Sequence, residues 1–284
     1  MIKPYPLFAL ALASLLATPL AHAAGKKVSD LESPESAVVG HDGRIYVSEI
    51  NGFGQDGDGR ISVIGADGKV QVFASGMDDP KGLAMIGKDL YVADKTRVLK
   101  VTPDGKWQVY VAADAFPATP QFLNDLEADG RGNLYVSDSG DISGQTDKAG
   151  AVYRIGKDGK VATVVDGSNP LVKGPNGLLM GDSDTLLEVD FMTGTLYSIQ
   201  LDSGKMTKLA EGFGGGDGLV RGNNDMRYVS DWMGGKVYSV NGQGKVKLLQ
   251  DGLQSAADIA LTADGMALLV PDMKAGELLW LPLH

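Results

Sequence analysis

The chain contains no cysteine, only three histidines, and fewer basic than acidic side chains, 26 against 36 across 284 residues. The missing cysteine excludes disulfides, thiol nucleophiles and thiolate-metal clusters. The shortage of histidine leaves little material for a Ser-His-Asp triad or a histidine-ligated zinc. A formal net charge of −10 argues against a nucleic-acid partner, because binding to phosphate backbones depends on clustered Lys and Arg. Neither a Gly-x-Ser-x-Gly elbow nor a phosphate-cradling glycine loop occurs. Beyond the first two dozen residues no apolar run approaches the roughly 20 residues needed to cross a bilayer. Glycine, by contrast, is plentiful at 39 residues, which suits many short strands joined by tight turns.

The N-terminus reads as an address. Lys3 precedes the apolar run Leu7 to Leu16, and Ala21-His22-Ala23 supplies a small-x-small end. That pattern marks residues 1–23 as a secretory signal peptide and 24–284 as one mature domain. The expected location is periplasmic or secreted, with no membrane insertion after cleavage.

A repeat governs the rest. A β-branched or aromatic pair, a small residue or proline, then an acid recurs at Tyr46-Val47-Ser48-Glu49, Tyr91 to Asp94, Tyr135 to Asp138, Tyr228 to Asp231 and Leu269-Val270-Pro271-Asp272. Leu187-Glu188-Val189-Asp190 is a deviant copy. Successive acids are 45, 44, 52, 41 and 41 residues apart, the length of a four-stranded propeller blade. Asp-Gly and Asn-Gly pairs at 42–43, 67–68, 104–105, 158–159, 241–242 and 264–265, with Gly132, mark hairpins between antiparallel strands. The third unit reads as strands 124–128, 134–138, 151–155 and 161–165. The sixth stops one strand short, so a segment around Lys26 to Leu31 is expected to complete it and cover its edge. The fold class is therefore all-β, a six-bladed β-propeller closed by an N-terminal strand.

A second phrase precedes each acid by a nearly constant 13 or 14 residues. It places Glu35, Lys81, Asn124, Asn176, Asp217 and Asp258 at the start of the inner strands, one per blade, around one rim of the central channel. Polar groups there need partners, water or an ion. Three carboxylates and two amides suit a hard cation held by oxygen, and Lys81 could instead neutralise a neighbouring acid. The repeated acids ending in Asp272 are assigned to structure, as caps of the turns that follow them. Phe122, Phe191, Phe213 and Trp232 lie near rim positions, as pocket wall or as packing between blades. Residues 51–60, with Asp56-Gly57-Asp58-Gly59, are expected to form a mobile loop, since they lack the terminal Glu of a calcium loop.

The phrases Pro34-Glu35, Asn124-Asp125, Pro175-Asn176-Gly177 and Asp217-Gly218, in this order and at these spacings, resemble the gluconolactonase, regucalcin (senescence marker protein) and luciferin-regenerating enzyme family. The resemblance implies a divalent cation at the channel mouth held by Glu35, Asn176 and Asp217. It also implies Asn124 as a substrate contact and Asp217 as general base. Calcium is the first choice of ion, with zinc, magnesium and manganese as alternatives. The family usually shows Glu-Gly-Pro before a tryptophan where this chain has Glu35-Ser36-Ala37-Val38-Val39, and some members carry arginine where Phe122 stands. The expected activity is metal-dependent hydrolysis of a small lactone or ester, with Lys81 and Asn124 beside the developing oxyanion. The alternative is a non-catalytic ring similar to NHL-repeat proteins, on phrases such as Pro80-Lys81-Gly82-Leu83-Ala84, binding a small molecule or a protein through the same rim.

Overall fold

In the computed structural model, which describes residues 26–283 except 144, 147 and 183, the alternating runs form six four-stranded sheets. All strand pairings are antiparallel, and each of the first five sheets is built from four consecutive strands, innermost first. The third comprises Leu123–Ala128, Leu134–Asp138, Ala151–Ile155 and Val161–Asp166, within one residue of the sequence reading. In the last blade the short strand Lys27–Val28 pairs with Glu277–Pro282, Lys27 opposite Leu279 and Val28 opposite Leu278. The N-terminus thus closes the ring, and the Lys27 ammonium reaches Glu277 at 2.6 Å. Residues 1–23, read as a signal peptide, lie outside the described residues.

Because successive side chains on a strand face opposite ways, each blade offers one apolar face to each neighbour. The buried apolar residues divide accordingly into clusters that each join two adjacent blades. Tyr46, Ile61 and Met77 of the first blade meet Leu90, Val92 and Leu99 of the second. Leu31, Ala37 and Val47 meet Leu269 and Leu278 across the closure. The core is therefore a ring of interfaces around a channel.

Left-handed turns fall where the Asp-Gly pairs point, with φ of +76° at Gly43, +76° at Gly68 and +78° at Gly105. One position differs. In the turn after Lys236–Val240 it is Gly244, not Gly242, that takes positive φ, because Gly244 N–H closes the turn on the Asn241 carbonyl.

The repeated acids are structural, but most of their work points backwards. Each accepts main-chain N–H groups from the segment entering its own inner strand. Asp94 Oδ1 holds Asp78 and Asp79, and Asp138 holds Gln121 and Phe122. Asp190 Oδ2 holds Lys173 and Gly174, and Asp272 holds Gln254 and Ser255. Glu49 accepts from Glu32 and Asp231 from Gly215. Only Asp138, Asp190 and Asp231 also cap the turn that follows, through Gly140, Thr193 and Gly234. These clamps fix where each inner strand starts, and so where its rim residue stands.

Candidate functional site: an oxygen-lined mouth

At the start of five inner strands a β-bulge separates the clamped residue from the regular ladder, between Pro34 and Ala37, Pro80 and Leu83, Leu123 and Leu126, Pro175 and Leu178, and Gly216 and Leu219. A bulge leaves two residues opposite one and re-aims their side chains. Its first residue is Glu35, Lys81, Asn124, Asn176 or Asp217, and all five line one cavity of about 380 Å³ at the channel mouth. The constant spacing had brought these five together correctly. The bulge itself leaves no mark in the sequence except glycine at its second position in three of the five blades, Gly82, Gly177 and Gly218. A Cβ on Gly177 would lie 2.1 Å from the Asp217 carbonyl oxygen, and one on Gly218 would lie 2.4 Å from the Ile259 nitrogen. Neighbouring inner strands approach too closely there for any side chain.

Asp258 departs from the expected rim. Ala256 bridges Asp272, one residue further back than the equivalent pairing of Pro34 with Glu49. That extra residue puts Ala257 in the rim position, packed with Ile50 and Met273. Asp258 falls one position behind it. Its Oδ2 accepts a 2.6 Å hydrogen bond from Ser36 Oγ, and its N–H donates to the Glu35 carbonyl. Asp125, the second bulge residue of its blade, is buried too and accepts from Leu178 N–H.

Burial dominates the electrostatics. It pushes Glu35 well above the usual carboxylate range, reinforced by the Asp217 and Asp258 charges and opposed by Lys81. Asp217 is likewise pushed well up by burial and then by Asp258, with the Asn176 side chain opposing. Burial lowers the Lys81 ammonium, against the pull of Asp79 and Glu35. Lys81 Nζ donates to the Asp79 carbonyl at 3.2 Å and sits 4.2 Å from the Phe122 ring centre.

Four buried side-chain oxygens at the mouth have no hydrogen-bond partner among the described residues: Glu35 Oε2, Asn124 Oδ1, Asn176 Oδ1 and Asp217 Oδ1. They come from four different blades and share one cavity. Leaving such acceptors unmatched costs on the order of 1–3 kcal/mol each. A hard cation is the partner that satisfies several converging oxygens at once, so the residues present fit a divalent ion. Asn124 Nδ2 donates to Ser139 Oγ at 3.2 Å, which turns its oxygen toward the acceptor set. No group of three or more His, Cys, Asp and Glu suited to a metal exists among the described residues. The candidate set depends on amide oxygens as much as on carboxylates.

Of the four aromatic residues considered for the wall, Phe122, Phe191 and Trp232 line the cavity. Phe213 is fully buried against the core between the fourth and fifth blades. The wall also takes Phe53 from the loop 51–60. That loop is pinned rather than free: Gly54 and Gly57 N–H donate to Asp79 and Asp78, and Asn51 Nδ2 donates to the Asp58 carbonyl. Met273 follows its acid directly, as the mouth residues Ile50, Phe191 and Trp232 do, an offset that could have marked it, whereas Phe53, Ile142 and Met233 lie further along the connections and carry no such mark.

The fold and mouth define a six-bladed propeller with an oxygen-rich, buried channel entrance. Residues 84–218 match the family model described as SMP-30/Gluconolactonase/LRE-like region, a stretch that takes in three of the four phrases, Asn124-Asp125, Pro175-Asn176-Gly177 and Asp217-Gly218. A gluconolactonase from Xanthomonas campestris superposes with a TM-score of 0.74 at 15% identity, covering 91% of this chain and 90% of that one. Virginiamycin B lyase from Staphylococcus aureus gives 0.65 at 15% identity, covering 91% and 99%. At that identity both likenesses establish the fold alone. No curated protein sequence matches significantly.

Proposed function

We propose that the protein is an exported, cation-dependent hydrolase of a small lactone or ester, acting at the channel mouth. The observation that carries this reading is the set of four unpartnered buried oxygens in one cavity. Glu35, Asn176 and Asp217 would hold the cation, calcium first among the candidates. When bound, it supplies Lewis-acid polarisation of the ester carbonyl. Asp217 takes the proton from the attacking water as the oxygen–acyl carbon bond forms, then returns it to the alkoxide released when the acyl–oxygen bond breaks. One water is consumed and no other reactant is needed. A carboxylate that also holds the cation has its pKa drawn down by that charge and is a modest base, which suits an activated ester. The Lys81 ammonium stabilises the developing oxyanion, and Asn124 contacts the substrate. Export through residues 1–23 to the periplasm or exterior is part of the same reading.

The fold also carries a lyase, and a histidine-to-alanine form of that enzyme is described as catalytically inactive. Among the described residues no histidine lines the mouth, which favours hydrolysis over that chemistry. A non-catalytic ring binding a small molecule or a protein at this rim is the second reading, supported by the exposed apolar residues Phe53 and Met233.

The test is a lactone panel with calcium and with EDTA, on the wild type, Asp217→Ala and Asn176→Ala. Hydrolysis should fall by about 10²-fold or more on chelation or on either substitution. Hydrolysis indifferent to all three would remove the assignment.

A further inference from the structure

The polar groups of the cavity lie at its floor, whereas its wall offers a ligand almost no hydrogen bonding. Phe53, Phe122, Phe191, Trp232, Met233 and Met273 surround the floor residues. The one strong donor among their side chains, Trp232 Nε1–H, is already directed at Met273 Sδ, 3.2 Å away. The Phe191 and Trp232 rings pack 6.2 Å apart and tilted, forming an aromatic flank. The Lys81 ammonium is bound to the Asp79 carbonyl and covered by the Phe122 ring, so it is shielded from a group lying against the wall.

Resting on the hydrolase reading above, we infer that the substrate is a lactone or cyclic ester carried on an apolar body, an alkyl chain or an aromatic ring. A polyhydroxylated sugar lactone does not suit this wall. Each hydroxyl placed against it gives up water without gaining a partner, which disfavours binding. An alkyl or aryl group gains from every methylene or ring edge removed from water. The cavity of about 380 Å³ limits this body to small-molecule size. The reacting end is unchanged: the acyl–oxygen bond opens with one water and yields a hydroxy acid.

The experiment compares two δ-lactones in excess calcium, gluconolactone and a δ-lactone bearing a five-carbon alkyl chain, by pH-stat. The alkyl lactone should show the larger kcat/KM by about 30-fold or more, near 2 kcal/mol at 1.4 kcal/mol per tenfold. Phe53→Ser should narrow that ratio, acting mainly through the KM of the alkyl lactone. Phe53 is 56% exposed, so this variant is expected to fold, and Phe191→Ala extends the test deeper into the wall. Equal or better turnover of gluconolactone would overturn the inference while leaving the hydrolase intact. Turnover of neither lactone would instead remove the hydrolase reading. Calorimetry then still decides the substrate class: saturable binding of the alkyl lactone with a negative heat-capacity change, weakened in Phe53→Ser, supports it, and preferential binding of gluconolactone or of neither overturns it.

Discussion

Glu188 is the residue least like its counterparts. Five blades place valine two residues before the repeated acid, Val47, Val92, Val136, Val229 and Val270, whereas the fourth places Glu188. It is fully buried, and neither carboxylate oxygen has a hydrogen-bond partner among the described residues. Burial, followed by the Asp190 charge, pushes its pKa well up, with the Asn176 main-chain N–H opposing. A carboxyl whose folded pKa exceeds its unfolded value binds its proton more tightly in the native state, so it weakens the fold as pH rises above the unfolded pKa. Glu188→Val should therefore stabilise the protein by about 1–3 kcal/mol at pH 8 and by less at pH 5, measured by denaturant unfolding at both values. An equal effect at the two pH values would contradict this origin. The same residue shows what a sequence repeat can and cannot reveal. The deviation is visible by eye, but its lack of a partner depends on what the third blade packs against it.

Within each blade, the clamp between the second strand and the entry to the inner strand positions the site. Asp138 accepts from Gln121, Phe122 and Gly140 N–H, and so fixes the segment that carries Asn124. Asp138→Ala leaves these donors unmatched, and the expected loss is about 3 kcal/mol of stability, read by thermal or urea unfolding. Asp138→Asn, which keeps one acceptor oxygen, should lose less. The rim positions were legible because the clamped acid and the rim residue are joined by a hairpin of fixed length. The last blade breaks that constancy in the hairpin itself: Leu261 pairs with Leu268, seven residues on, where Val39 pairs with Ile45, six residues on, and this moves Asp258 one place behind the rim. Spacing alone counts residues back from the acid and cannot show that the turn between the two strands holds an extra one.

The assembled ring brings six raised carboxyls into or beside one channel. Asp258 and Glu127 are each pushed up to about 7, chiefly by burial. Burial likewise raises Glu35, Asp125, Glu188 and Asp217 well above their usual values. All have the same sign: between about pH 4 and pH 7 the folded state holds more protons than the unfolded one, so stability falls as pH rises through that window. In EDTA the melting temperature should be higher at pH 5 than at pH 8. Calcium should raise it at pH 8 and do little at pH 5, where protons compete for Glu35 and Asp217. Calorimetric melts at the two pH values, with and without calcium, check both statements.

Closure is the second property of the whole ring. A chain beginning at Asp30 lacks the strand Lys27–Val28 and uncovers the edge of Glu277–Pro282. It should melt earlier and form dimers or aggregates in size-exclusion chromatography.

The order of residues along the chain determined the blade count, the closing strand and five of the six rim positions, because each follows from a repeat whose hairpins have nearly constant length. The tertiary structure alone decided that Ala257 replaces Asp258 at the rim, that Phe213 is core while Phe53 is wall, and that four oxygens from four blades lack partners. Those outcomes depend on how separate blades approach one another around the channel. Approach between blades is set by glycine clearances and packed apolar faces, which depend on contacts between blades rather than on distance along the chain.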